Sequence, residues 1–330
     1  MKLNLVRATL AFLVLGMLPV ASQAGTATFG SGANTFTMDF TTIGNPGNAA
    51  DTAGTPDPAG SVGYTYQIGT YEVSENMITK YNANFGTVNS LVLHTDNRGA
   101  DKPATSVSWN EAARFVNWLN TSTGNHAAYK FTTNGVNDEI AFWNSGDAGY
   151  DASNLYRNSL ATYVLPSYNE FYKAAYYDPS KNGGEGGYWE FPTGSDTRPT
   201  GVASGTTAGT VVSNQSNGQG PADVTLAGGL SPYGVMGLGG NVWEFDESPG
   251  DVTDIGSPTR GHRGGGWYWD SHYSDSILRY GILPNSESSI SGFRVVSLDS
   301  APSVVPEPSM MVIGTLLGLG GYIGKRRMMK

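Results

Sequence analysis

The sequence predicts an α+β domain rich in loops, on three observations. Of 330 residues 45 are glycine, 18 tyrosine and 7 tryptophan, with only 14% charged, so the backbone turns often and aromatic side chains fill the space between turns. Three segments open on a serine with capping potential and continue into apolar residues at helical spacing. Between and beyond them, above all after Gly183, the pattern is short alternating stretches and Gly-rich connections, which read as strands and loops. Helices scattered among strands without a repeating strand–helix alternation place the chain in the α+β class.

Taken in order, Lys2 and Arg7 precede the apolar stretch Ala8 to Leu18, and Ser22-Gln23-Ala24 supplies small residues for cleavage. This is the layout of a secretory signal peptide over residues 1–24, with Gly25 as the first mature residue. Residues 25–60 are expected to form an N-terminal strand, on the alternation Phe36-Thr37-Met38-Asp39-Phe40, and then a linker. The main domain is placed at 61–299. It begins with a strand at Tyr64 to Gly69, and a first helix follows through Met77 to Tyr81 with Ser74 as its cap. A second helix has Ser108 and Glu111 at capping-box separation, an apolar face of Ala112, Phe115, Val116 and Leu119, and Gly124 to end it. A third opens on Ser167 and Glu170 and is stopped by Asp178-Pro179.

The tail over residues 300–330 carries Pro306, Glu307 and Pro308, an apolar run from Ser309 to Gly324, and the basic cluster Lys325-Arg326-Arg327. The run is near the lower limit of about 17 residues for a spanning helix, with charges that would stay on the cytoplasmic side. It resembles the PEP-CTERM sorting signal of bacteria, which implies processing by an exosortase-type enzyme after a transient membrane stage; a permanent anchor is the other reading. The resemblance therefore implies an exported protein of the cell envelope, cell surface or matrix. Zero cysteines leave no disulfide framework, so stability must come from a packed core. A net charge of −9 argues against nucleic acid and suits divalent cations or neutral sugars.

Five blocks carry a second resemblance: Pro103 to Ala112, Leu165 to Phe171, Gly239 to Phe245, Arg263 to Trp267, and Gly292-Phe293-Arg294. In this order they resemble the signatures of the formylglycine-generating enzyme, or sulfatase-modifying factor, family. The resemblance implies a compact loop-rich fold related to C-type lectins, with Trp109 and Trp243 in the core and Arg263 and Arg294 in buried fork-like hydrogen bonds. It further implies a structural calcium held by the carbonyls of Gly240 and Val242 and the carboxylate of Glu244, although the upstream asparagine ligand is replaced near Gly237. Hard oxygen donors suit that ion; the alternative for Glu244 is a pair with Arg263 or Arg294.

The family's oxidases hold copper with two cysteines, whose places fall near Ser271 and Ser276. A serine hydroxyl is too hard and too weakly acidic to replace a thiolate on Cu(I), so no copper and no cysteine-dependent oxidase activity are expected, and no catalytic residue is assigned. The segment that lines the family's substrate groove holds Trp267, Tyr268, Trp269, His272, Tyr273, Arg279 and Tyr280. Trp267, Trp269, His272 and Arg279 are the groove candidates, against the reading that the rings pack inward. Asp246, Glu247 and Asp251 are the residues from which a hydrolase pair would have to come. The expectation is a binding or structural module. Its partners would be the sorting enzyme and either exopolysaccharide, with which proteins bearing such a tail are associated, or an envelope protein. The alternative is a protein-modifying oxidoreductase with a non-thiol metal centre around His262 and His272.

Overall fold

The computed structural model describes residues 25–298. The expected signal peptide, the Pro306-Glu307-Pro308 motif, the apolar run and the basic cluster lie outside the described residues. Among the described residues no helix is long and apolar enough to cross a membrane.

The main sheet has five strands in the order Gly25–Phe29, Phe36–Ile43, Tyr66–Gly69, Val296–Ser297, Tyr163–Val164. Its neighbours are antiparallel, with Phe29 opposite Phe36, Ile43 opposite Tyr66, and Val296 between Ile68 and Val164. The Phe36–Ile43 strand buries Phe36, Met38, Phe40 and Ile43, as its alternation predicts. It is nevertheless no appendage ahead of a linker. Paired on both sides, it belongs to the core, so the boundary expected near Ser61 separates no structural units; a single strand has too little of its own surface to bury.

The three anticipated helices are present. The Glu75–Tyr81 helix starts at Ser74, whose side chain accepts from the Met77 amide. The Trp109–Ser122 and Tyr168–Tyr176 helices each begin with a complete capping box, Ser108 with Glu111 and Ser167 with Glu170. In both, the serine satisfies an otherwise orphan amide while the glutamate reaches back to the serine's own N–H. The Trp109–Ser122 helix lays Phe115 and Trp118 against Phe36, with ring centroids 6.3 and 5.9 Å apart, and Phe115 against Phe293 at 5.7 Å. Asn120, buried in the same interface, donates to the Tyr163 carbonyl at 2.7 Å and accepts from the Thr162 and Tyr163 amides. This fastens the helix to the edge of the main sheet without leaving a polar group unsatisfied.

A second sheet, in the order Tyr280–Ile282, Arg260–Arg263, Trp243–Pro249, Ser291–Gly292, carries the last three of the five sequence blocks. Its central pair is antiparallel, with Glu244 opposite Arg263 and Phe245 opposite His262, and slips at a bulge before Pro249 pairs with Arg260. The result is a mixed α+β, loop-rich fold of the predicted class.

Candidate functional site

The Trp243–Pro249 strand is buried at every residue although it contains Glu244, Asp246 and Glu247. A buried carboxylate without a partner is expensive, and each of the three is held by an arginine from elsewhere. Arg294 forks onto both oxygens of Glu244 at 2.5 Å and also donates to the Gly69 and Met236 carbonyls. Arg279 forks onto Asp246 at 2.8 and 2.9 Å. Arg157 donates to Glu247 at 2.9 Å and forks onto Glu170. Gly261 lies beneath the Arg279 pair, where a Cβ would overlap both the carboxylate and the guanidinium. Arg263 donates to the Ser276 and Leu278 carbonyls and lies over the Tyr172 ring at 5.1 Å.

The carboxylates from which a hydrolase pair would have to come are engaged elsewhere: Asp246 and Glu247 each pair with an arginine and Asp251 caps its own turn through Thr253. They also take Arg279 out of the groove candidates: its side chain is 3% exposed and committed to Asp246.

Glu244 has a second buried carboxylate as neighbour, one the sequence reading passed over. Glu72 accepts from the Asn241 side chain at 3.1 and 2.8 Å, and its carboxylate lies 3.0 Å from the place a Cβ on Gly237 would occupy. Glu72 thus fills the space that a side chain at position 237 would need. Burial, and then the charge of Glu244, push the Glu72 carboxyl well above the usual range, and burial also raises Glu244. Two carboxylates face one guanidinium, so the cluster holds either a retained proton or room for further positive charge. The adjacent loop is tight, with Gly240 at φ 74° and its Cβ position blocked by the Val212 backbone. Of the two readings of Glu244, the pair with Arg294 is the one present, so any cation at this loop would have to share the Glu244 oxygens with that guanidinium.

The histidines do not assemble a metal centre. His262 is buried and stacked between Trp243 and Phe245, with centroids 5.0 and 5.6 Å away, and burial lowers its pKa to about 3. His272 is half exposed on a turn, with Nδ1 4.0 Å from Asp275. Among the described residues no group of three or more His, Cys, Asp or Glu side chains is placed to hold a metal ion. Ser271 and Ser276, near which the resemblance would place the oxidases' cysteines, are buried. Ser271 donates to the Pro199 carbonyl and accepts from Arg198, and the Ser276 carbonyl accepts from Arg263.

What remains open to solvent is aromatic. Trp267 is fully buried in a small second core with Val212, Ala222 and Val242, so it is a packing residue. From it runs a contiguous series of ring contacts: Trp267 to Tyr268 at 5.7 Å, Tyr268 to Trp269 at 5.6 Å, Trp269 to Tyr273 at 5.4 Å, Tyr273 to Trp243 at 5.9 Å, and Trp243 to Tyr280 at 5.3 Å. Tyr268, Trp269 and Tyr280 are 48%, 39% and 45% exposed, and His272 packs beside Tyr273. Of the groove candidates, then, Trp269 and His272 face solvent.

Three solved structures share this fold: Treponema denticola variable protein 1 (19% identity, 85% of this chain and 99% of that one, TM-score 0.53), CarF (18%, 79% and 98%, 0.52) and PvdO from Pseudomonas aeruginosa (17%, 82% and 97%, 0.50). No curated protein matches the sequence. The Sulfatase-modifying factor enzyme 1-like domain profile matches residues 23–298, a span that takes in both sheets, all five sequence blocks and the N-terminal strands. The chain belongs to the family of sulfatase-modifying factor enzyme 1-like domains.

Proposed function

We propose that this protein is an exported binding and structural module of the cell envelope or extracellular matrix, and that it lacks cysteine-dependent copper oxidase activity. The observation that carries the reading is the exposed aromatic series Tyr268, Trp269 and Tyr280, braced from behind by Trp243 and Tyr273. Rings fixed in this way present contact area to sugar faces or peptide side chains at small entropic cost. The absence of cysteine removes the thiolates that the family's copper chemistry needs. Matrix glycan is the partner proposed first. Calcium, held by the Gly240 and Val242 carbonyls and Glu244 with Glu72 beside them, is proposed as a structural ion that neutralises the surplus carboxylate. Delivery through the Pro306-Glu307-Pro308 tail and an exosortase-type enzyme completes the proposal.

The test is sedimentation of the purified chain with the producing organism's own extracellular polysaccharide, with calcium and with chelator. Saturable binding that falls in Trp269→Ala and Tyr268→Ala supports the reading. Absence of binding under both conditions, or binding indifferent to both substitutions, overturns it.

A further inference from the structure

A cleft of about 630 Å³ lies between the 61–65 segment, the 151–159 loop, the start of the Tyr168–Tyr176 helix and the end of the Trp243–Pro249 strand. Its volume is within the range of about 300–1,000 Å³ of small-molecule sites. Its floor is the network around Arg157, whose side chain is 8% exposed. Arg157 forks onto Glu170 at 2.9 and 2.8 Å, donates to Glu247 at 2.9 Å and to the Leu165 carbonyl at 2.8 Å. Tyr64 donates to Glu170 at 2.7 Å, Asn154 to Glu247 at 2.6 Å, and Tyr129 to Glu247 at 3.0 Å. The rim carries Tyr64, 46% exposed, and Ile255, 47% exposed, with Tyr168 and several serine hydroxyls between them.

We propose that this cleft binds one neutral sugar residue, stacked on Tyr64 and hydrogen-bonded through its hydroxyls to the Asn154–Glu247 end of the floor. Three features select that ligand. The Arg157 charge is outweighed by Glu170 and Glu247, so no net positive charge is left to attract a phosphate or uronate. The lining sets serine hydroxyls and side-chain amides beside Tyr64 and Ile255, a mixed surface that suits a guest with polar edges and an apolar face. The Tyr64 hydroxyl is tied inward to Glu170, which fixes the ring and leaves its face for a pyranose. Glu247 retains acceptor capacity on the oxygen that meets only Asn154. The proposal is independent of the aromatic series around Trp269, which involves none of these residues.

The experiment is saturation-transfer NMR and calorimetry on the purified chain with glucose, galactose, mannose, N-acetylglucosamine and glucuronic acid as probes. At least one neutral sugar is expected to bind saturably, with glucuronic acid at least tenfold weaker. Tyr64→Ala should weaken binding at least tenfold and Tyr64→Phe by no more than about threefold. Ile255→Arg, at an exposed rim position, should block the cleft with the fold intact by circular dichroism, and Trp269→Ala should leave affinity unchanged. Failure of all four neutral sugars, equal or tighter binding of glucuronic acid, or indifference to both Tyr64→Ala and Ile255→Arg overturns the proposal. Loss of binding in Trp269→Ala alone would move the sugar to the other site and overturn it as well.

Discussion

Replacing Arg157 with leucine tests whether the buried carboxylates are held as the structure indicates. In the native protein burial pushes the Glu170 carboxyl up, but the Arg157 guanidinium outweighs it and holds Glu170 below its ordinary value; Glu247, also buried, remains raised. Leucine removes the fork onto Glu170 and the bond to Glu247 and leaves two carboxylates at 0% and 1% exposure. Breaking a buried pair in this way costs about 3–5 kcal/mol. At about 2–4 °C per kcal/mol for a domain of this size, the melting temperature should fall by roughly 6–20 °C at neutral pH. Without the guanidinium, both folded-state pKa values lie above the unfolded one. The loss is therefore complete at neutral pH and shrinks as pH falls toward the ordinary carboxylate range. Near-UV circular dichroism melts of both proteins from pH 4 to 8 measure this directly. Adding Glu247→Gln to Arg157→Leu should recover part of the loss. A deficit below about 1 kcal/mol, or one that persists unchanged in acid, would refute the reasoning.

Four further outcomes are expected. In metal-free protein Glu72, raised well above 4.5 by burial and by Glu244, contributes stability that is lost as pH rises from the ordinary carboxylate value toward its folded one. Glu72→Gln should flatten that part of the pH–melting profile and, where calcium raises the wild-type midpoint, abolish the rise; identical profiles in the two proteins would dismiss the charge count. His262 has its pKa lowered by burial to about 3, so its contribution is full above about 6.5 and is lost as pH falls toward 3. Its ring should stay neutral by NMR at pH 5, and His262→Phe should remove that acid-side slope. Ser167→Ala should cost about 1 kcal/mol in chemical denaturation through loss of its cap. Ser108→Ala should cost more, since Asn137 would lose a 2.6 Å partner as well.

The helices were legible because their determinants are local. Ser108 with Glu111 and Ser167 with Glu170 satisfy amides within one turn, and the apolar spacing that follows chooses the buried face whatever lies opposite. The core roles of Trp109 and the fork of Arg294 were likewise within reach of the sequence blocks. The strand at Phe36 was legible but its place in the core was not, because alternation reports that a strand has a buried face and not which strand it pairs with. Trp267 and Arg279 looked like groove residues for the same reason: residue type does not reveal direction.

The sequence by itself determined the α+β class, the three capped helices and the family blocks, since capping, periodicity and motif order act over a few residues. Only the tertiary structure decided which arginine neutralises which carboxylate. Arg294 is 50 residues from Glu244, Arg279 is 33 from Asp246, and Arg157 is 90 from Glu247. It also brought Glu72 beside Glu244 and Tyr64 against Glu170 at the cleft. The reason is desolvation: a buried charge must be paired, but any arginine that packing delivers can satisfy it, so the choice is made by the fold as a whole.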